Sequence, residues 1–383
     1  MGQEALVKKV STFKSGNFVF SRKFSLRKLQ PLRIESRILY DTVRDLPILP
    51  DLATHLQEEL IRRSIFGTAA IEGNPLNEER VGQIISETTE KTFHNNAEQE
   101  IANLQKVYAM LYVHAKANEK LYIDEEIIKK VHEMITGNIK YEYNNPGNYR
   151  NHLVRVGDKA HGGIYTPPRC LEDIKNLMKE FIEWINSDEV VNLDPPIRAG
   201  LIHYYLGLIH PFGDGNGRTA RWVEAYLLQS SGIKYVPIML SNYYYQNKDD
   251  YLWAFSNTIK GKDNDVTPFL TFVLQGFKES LNEIKARITF FIRKFTLRDF
   301  YMHLRNNRKI TQRQYDLLIT LLDYGRPFSL KDLFSKNPFN IMYRNVSSRT
   351  AMRDLKKLVL LNGVNLIKQG KDKKYQLNWR ALG

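Results

Sequence analysis

Apolar and polar positions alternate along most of this chain with the period of an α-helix. In residues 52–71, Leu52, Leu56, Leu60, Ile61 and Ile65 recur at steps that place them on one helical face. Gly73, Asn74 and Pro75 mark where that helix ends. Residues 96–118 repeat the pattern through Ile101, Leu104, Tyr108 and Leu111. Asp124 reads as the N-cap of a helix carrying Ile127, Ile128, Val131, Met134 and Ile135, stopped at Gly137. Further helices are predicted over 171–186, from Pro196 to Ile209, and over 217–230.

One interval breaks this rhythm. Residues 147–168 hold glycines, a Pro167-Pro168 pair and a β-like run from Leu153 to Val156, which predicts a small hairpin or flap among helices. After 310 the elements shorten. A helix over 311–324 carries Leu317, Leu318, Leu321 and Leu322; Ser329 caps a short helix; Ser347 or Ser348 caps a third, which Gly363 ends. Two strands around the turn Gly370-Lys371-Asp372 follow. Three helices and a hairpin in this order match a winged helix-turn-helix layout. The expectation is a mainly α protein. It has an N-terminal helical region at 1–110, a core with a β-hairpin flap at 111–275, a linker helix at 276–309 and a winged helix-turn-helix domain at 310–383.

At 43% hydrophobic and 26% charged residues, the chain can build a packed core. No apolar run reaches the ~18 residues of a membrane span, so no membrane partner is expected. The N-terminus MGQEALVKK has no apolar signal core, and Leu6 breaks the acylation pattern. The single Cys170 excludes an internal disulfide framework and suits a reducing compartment, so a cytoplasmic location is expected. Net charge is +14 but uneven. Residues 301–383 carry 17 Lys/Arg against 5 Asp/Glu and residues 1–37 carry 9 against 2, which leaves −5 for the middle. Basic ends on an acidic body suggest that the ends meet something anionic.

The densest chemistry is HPFGDGNGRTAR at 210–221. Pro211 ends the preceding helix, and Gly213, Gly215 and Gly217 let a backbone approach a ligand closely. The loop opens into a helix, so free N–H groups at that N-terminus form an anion nest. Arg218 and Arg221 share a helical face and suit phosphate. Asp214 offers a hard oxygen for Mg²⁺, and His210 can take a proton at neutral pH. Together these describe phosphate-transfer chemistry.

This stretch resembles the Fic motif, HPFx[DE]GNGRxxR, at every fixed position. The likeness extends over about 50–275. It takes in Pro195, Pro196, Ala199, His203 and Ile209 before the motif, and Gly147, Tyr149, Arg150, Pro167 and Pro168 in the flap. The resemblance implies AMP transfer from ATP to a hydroxyl of a target protein or of the chain itself. In that reading His210 is the general base and Asp214 binds Mg²⁺. Phe212, Gly213, Gly215, Asn216 and Gly217 line the nucleotide site, with Asn216 on the α-phosphate, and Arg218 and Arg221 hold the outer phosphates. Gly217 stands where the phosphorylating relatives carry Lys, which favours adenylyl transfer.

Residues 68–73, TAAIEG, match the family's inhibitory signature [ST]xxxE[GN] at Thr68, Glu72 and Gly73. The resemblance implies that Glu72 pairs with Arg221 and obstructs ATP. Some relatives of this kind also remove AMP. Tyr251 matches an aromatic near the adenosine pocket and is equally compatible with a core position. Ile164 and Tyr165 would align a target segment by strand pairing, whereas His203, on a helix face, reads as structural. A homodimer is implied by analogy.

In the C-terminal module, Arg344, Arg349, Arg353, Lys356 and Lys357 surround the expected recognition helix, and Lys371, Lys373 and Lys374 the wing tip. These are suitable phosphate contacts, so DNA is a candidate partner. Two alternatives stand beside the adenylyltransferase. One is a DNA-binding regulator whose core senses nucleotide. The other is an enzyme of the same kind that transfers another phosphate-linked group.

Overall fold

The computed structural model describes residues 6–87, 93, 95–113, 121–369 and 372–382. The chain divides into two compact units, Met1–Lys285 and Ala286–Gly383. The first opens with a hairpin, β1 (Val7–Ser11) and β2 (Asn17–Ser21), followed by α1 (Leu26–Arg44), α2 (Pro50–Ile71), α3 (Glu78–Ser86), α4 (Asn96–Val113) and α5 (Glu125–Thr136). A second hairpin, β3 (Val156–Asp158) and β4 (Gly163–Tyr165), precedes α6 (Leu171–Ile185), α7 (Asp188–Val191), α8 (Pro195–Ile209) and α9 (Asn216–Ser230). Then come α10 (Val236–Gln246), α11 (Lys248–Ile259) and α12 (Thr267–Asn306), which carries the chain into the second unit. That unit continues with α13 (Gln312–Tyr324), β5 (Phe328–Ser329), α14 (Asp332–Ser335), α15 (Phe339–Tyr343), α16 (Ser348–Leu360), β6 (Val364–Gln369) and β7 (Asp372–Leu377).

The mainly helical expectation holds, with differences in detail. The first hairpin was not foreseen in a region read as all helix. Its strands pair in register from Val7↔Ser21 to Ser11↔Asn17 around Gly16, whose φ of 78° suits glycine. What holds it is remote in sequence: Phe20 is fully buried and stacks on Trp184, 5.4 Å away, beside Tyr205. The flap strands begin at Val156 rather than Leu153, because the pairing runs Val156↔Tyr165 to Asp158↔Gly163 and Leu153 is exposed. The expected linker helix at 276–309 is the continuation of α12, which starts nine residues earlier at Thr267. The part of the 96–118 helix beyond Val113 falls at 114–118, outside the described residues.

In the first unit α8 and α9 form the centre. Ile197 to Leu206 of α8 are all buried, as an apolar segment without a polar face must be. In α9, Trp222 is buried and donates to the Val107 carbonyl at 2.9 Å, tying α9 to α4. Helix α2 lies against α10, where Gly67 lets the two backbones meet. A methyl group on Gly67 would lie 2.9 Å from the Asn242 Cα and the Ser241 carbonyl. Gly67→Ala would gain about 1 kcal/mol of helix propensity, but overpacking against backbone costs about 1–3 kcal/mol. We expect a net loss, read as a thermal midpoint lowered by a few degrees. An unchanged or raised midpoint would show that α2 can shift on α10 without cost.

The second unit packs α13, α15 and α16 around Leu317, Leu321, Phe328, Leu355 and Leu358, with a sheet in the order β5-β7-β6. Thr311 and Gln314 form a reciprocal capping box for α13, and the Ser347 hydroxyl accepts from the Thr350 amide to start α16. Ser329 does not cap its helix alone. Its amide and hydroxyl donate to the Asp332 carboxylate, which stands at the first residue of α14. No helix among the described residues is long and apolar enough to cross a membrane.

Candidate active site

The site is built at the turn between α8 and α9. His210 leaves α8 in a left-handed conformation (φ 48°, ψ 59°), and Gly215 enters α9 with φ 73°. The first is uncommon for a non-glycine residue and is held by neighbours. The His210 carbonyl accepts from Arg150 Nε at 2.8 Å, while the Arg150 amide donates to the Pro211 carbonyl at 2.9 Å. The remaining Arg150 nitrogens donate to His152 and Pro168, which fastens the segments flanking the flap to the motif.

His210 Nδ1 lies 3.3 Å from the Gly207 carbonyl. A proton on Nδ1 shared with that carbonyl leaves Nε2 as an acceptor. Burial, reinforced by the nearby Arg150 charge, lowers the imidazole to about 4, so the ring is neutral at physiological pH.

His132 of α5 shapes the loop from beneath and was not found by sequence reasoning. It is buried, stacks on Phe212 at 3.7 Å and 5°, and accepts from the Gly147 amide at Nδ1. The Gly147 bond assigns the ring proton to Nε2, which donates to the Asp214 carbonyl at 2.9 Å. Its one sequence signal is a polar residue on the same face as Ile128, Val131 and Ile135.

Asn216 closes the turn with both ends of its amide: Oδ1 accepts from the Phe212 amide and Nδ2 donates to the Phe212 carbonyl, each at 2.9 Å. In this conformation its side chain shapes the nest, and one N–H of its amide carries no bond to the Phe212 backbone. Gly213 and Gly215 sit where a Cβ would strike Tyr143 backbone and Thr136.

The two arginines face different partners. Arg218 NH1 donates to Glu100 Oε1 at 2.7 Å, and NH2 donates to both Asp214 carboxylate oxygens at 2.8 and 2.9 Å. Glu100, absent from the sequence reading, also accepts from Asn74 Nδ2 at 2.9 Å. Burial works against the Arg218 charge, but Glu100 and Asp214 outweigh it and raise its pKa. Asp214 is the only motif carboxylate, and no cluster of three or more His, Cys, Asp or Glu that could hold a metal occurs among the described residues. As a hard-oxygen donor, the Asp214 carboxylate is of a type that fits a Mg²⁺ ion keeping waters and phosphate oxygens as its other ligands.

Arg221 is turned toward α2. Nε donates to the Thr68 hydroxyl at 2.8 Å, and NH2 donates to the Thr68 carbonyl at 3.2 Å and to Glu72 Oε1 at 2.6 Å. Arg221 is 2% exposed, whereas the Glu72 side chain is 32% exposed to the pocket. Burial alone would raise the Glu72 carboxyl, but Arg221 and Arg218 overcome it and hold it below its ordinary value. Its carboxylate sits so close over Gly217 that a Cβ there would collide with it. Gly73 turns the chain at φ 92°, and Asn74 secures the turn by donating to the Ala97 carbonyl. Lys248 donates to the Ile71 carbonyl at 2.8 Å, fixing the same helix end to α11.

Glu72, His210, Gly217 and Arg221 line one cavity of about 410 Å³, together with flap residues Gly163, Ile164 and Tyr165 and with Tyr251, Leu252 and Phe255 of α11. Tyr251 belongs to both wall and core. It is 6% exposed, its hydroxyl bonds His203 Nε2 at 2.8 Å, and Tyr244 stacks on it. His203 Nδ1 in turn meets Glu224, which accepts from Tyr244. Both His203 nitrogens are engaged in this buried network, in keeping with its structural reading.

Comparison with known proteins gives this geometry a setting. Residues 122–228 match the Fic/DOC family. Over 226 residues the chain is 29% identical to a protein adenylyltransferase Fic of Drosophila mojavensis, covering 59% of this chain and 41% of that protein. A protein of the same description from Drosophila erecta is also 29% identical, over 42% of its length. The chain thus spans about two fifths of the curated relatives it matches. Among solved structures, a Fic family protein from Desulfovibrio desulfuricans G20 aligns over 91% of this chain and 95% of its own, with a TM-score of 0.55 at 19% identity. Fic-1 from C. elegans aligns over 69% of this chain with a TM-score of 0.52 at 22% identity. At these identities the structural likeness speaks for the fold. With the family match over 122–228, it makes this part of the chain a Fic domain.

Proposed function

We propose that the chain transfers AMP from ATP to a hydroxyl side chain of a target protein or of itself, and that Glu72 holds this activity down. The observation that carries the reading is the placement of Glu72. A carboxylate stands over the N-terminus of α9 and on Arg221, the position where a helix terminus and a guanidinium would receive a nucleotide phosphate. The names of the Drosophila relatives support the same chemistry.

In this reading His210 Nε2 accepts the proton of the target hydroxyl as its oxygen bonds the α-phosphorus. The bond from that phosphorus to the bridging oxygen breaks and pyrophosphate leaves. Arg221 takes an outer phosphate once Glu72 moves away. Arg218 keeps Glu100 as counter-charge while releasing Asp214, whose carboxylate would hold Mg²⁺. The metal would supply charge neutralisation at the phosphates. The adenosine would lie against Tyr251, Leu252 and Phe255, and the exposed Ile164 on the flap would align the target segment.

The test is transfer of label from ATP labelled on the α- or the γ-phosphate, with the chain alone and with cell lysate. Label from the α-position only is expected. Label from the γ-position would make the chain a phosphorylating relative, and label from neither, in the Glu72→Gly chain as well, would remove ATP as donor.

The pH dependence follows from His210. The neutral ring is the active form, and its pKa is lowered to about 4, so kcat/KM should fall only as the pH drops through that value. Between pH 6 and 8 this group should impose no slope. An acid limb centred near 6.5 would mean that the base is a more exposed histidine.

A further inference from the structure

We propose that the second unit binds duplex DNA through α16 and the β6–β7 hairpin, a site separate from the AMP-transfer centre and independent of that reading. The argument rests on how charge is segregated. On α16, Arg349, Arg353, Lys356 and Lys357 are all exposed, and the first three recur at four- and three-residue steps along one stripe. Arg344 is exposed just before the helix, and Lys373 is exposed on β7 beside the half-buried Lys374. None of these is in an ion pair among the described residues. Lys371, expected at the wing tip, lies outside those residues.

The one acid of α16 points the other way. Asp354 is 2% exposed and is consumed internally by Arg313 at 2.8 Å and by Gln314 at 2.9 Å. The other described carboxylates with partners lie on different elements. Asp316 and Asp323 are on α13, bonded by Gln312 and Lys294, and Asp332 is on α14, paired with Lys336. The outer face of α16 is therefore cationic with no interleaved acid, unlike a merely solvated surface, where both signs alternate. The basic N-terminus behaves differently: Lys8 pairs with Glu180 at 2.7 Å and Arg33 with Asp194 at 2.6 Å, so part of its charge serves the fold.

Shape agrees with charge. A 13-residue helix is about 20 Å long, and the roughly 12 Å major groove of B-form DNA admits one. Four residues separate α15 from the α16 N-terminus and three separate α16 from the hairpin, the order in which a recognition helix is flanked by a wing over the backbone. Arginine and lysine on such a face supply phosphate contacts, with arginine also able to read guanine edges.

The experiment measures anisotropy of a labelled 25-base-pair duplex with the full chain, without nucleotide, between 50 and 200 mM salt. Binding should weaken with a log–log slope of about −4, as expected for four or five neutralised phosphates. Arg349→Glu with Arg353→Glu should weaken binding at least tenfold and flatten the slope by about 2. Lys356→Ala with Lys357→Ala should weaken it less. All four side chains are exposed, so the fold should survive, which circular dichroism checks. Arg27→Glu with Lys28→Glu makes the same change in net charge on α1 and should leave affinity within twofold. The proposal is overturned by any of three results: no binding at 50 mM salt, equal loss in both charge-reversed variants, or displacement of the duplex by poly-glutamate at equal charge. The last would instead identify an acidic protein as the partner.

Discussion

Replacing His210 with alanine is expected to reduce AMP transfer by about 10²–10⁴-fold, the usual contribution of a positioned general base, with little change in nucleotide affinity. The geometry gives the reason for the split. His210 lines the cavity with its neutral ring, lowered to about 4, and Gly207 and Arg150 fix its orientation. The anion-binding elements are elsewhere, on the α9 terminus and Arg221, so deleting the ring removes the proton acceptor and leaves them in place. Alanine is strained at φ 48°, however, and a distorted loop would also lower the rate. His210→Asn separates the two effects, because asparagine tolerates left-handed backbone and is no base at neutral pH. If the Asn variant keeps more than a tenth of the wild-type rate, His210 is not the base.

The parts of this molecule legible in sequence are those whose cause is local. The helices Pro50–Ile71, Glu125–Thr136, Leu171–Ile185 and Ser348–Leu360 announce themselves by spacing and by capping residues such as Asp124 and Ser347. The motif at 210–221 was visible because a loop entering a helix must carry its glycines and polar groups consecutively. Glu72 was visible through a short signature, and its carboxylate meets Arg221, the pairing that signature implies.

The illegible parts depend on contacts distant in sequence. Glu100 meets Arg218 across 118 positions, and nothing around Glu100 distinguishes it from Glu98, the other acid on its helix. His132 looks like a polar intrusion on the apolar face of α5 until Phe212 is laid against it. Asn216 shows the converse problem: its residue type suits a phosphate ligand, and nothing in the sequence tells that its amide also clamps the Phe212 backbone four positions before it. The N-terminal hairpin is two five-residue strands, too short for a clear period, and gains its stability from Trp184 and Tyr205 far along the chain.

Glu72→Gly should raise AMP transfer by about 10- to 100-fold at subsaturating ATP. The estimate follows from the contact removed. A hydrogen bond involving charged groups contributes about 1.5–3 kcal/mol, and each 1.4 kcal/mol is a tenfold change. The Glu72 carboxylate and a nucleotide phosphate compete for one Arg221 nitrogen and one helix terminus, so removing the first favours the second by up to that amount. Glycine also suits the end of α2, where Gly73 already turns the chain. Glu72→Gln keeps the size but removes the charge, and should give a smaller gain. Thr68→Val tests the other side of the lock, since Thr68 holds Arg221 Nε and its loss should lower nucleotide affinity even when Glu72 is absent. A purely activating substitution should also carry a stability signature. Arg221 is 2% exposed, and without Glu72 its charge loses its principal carboxylate partner. The Glu72→Gly chain should therefore unfold at a lower temperature than wild type without nucleotide and regain more of the difference when ATP and Mg²⁺ are added. Equal midpoints in both conditions, together with an unchanged transfer rate, would show that the Glu72–Arg221 pair neither holds the fold nor obstructs the nucleotide, and that no lock exists.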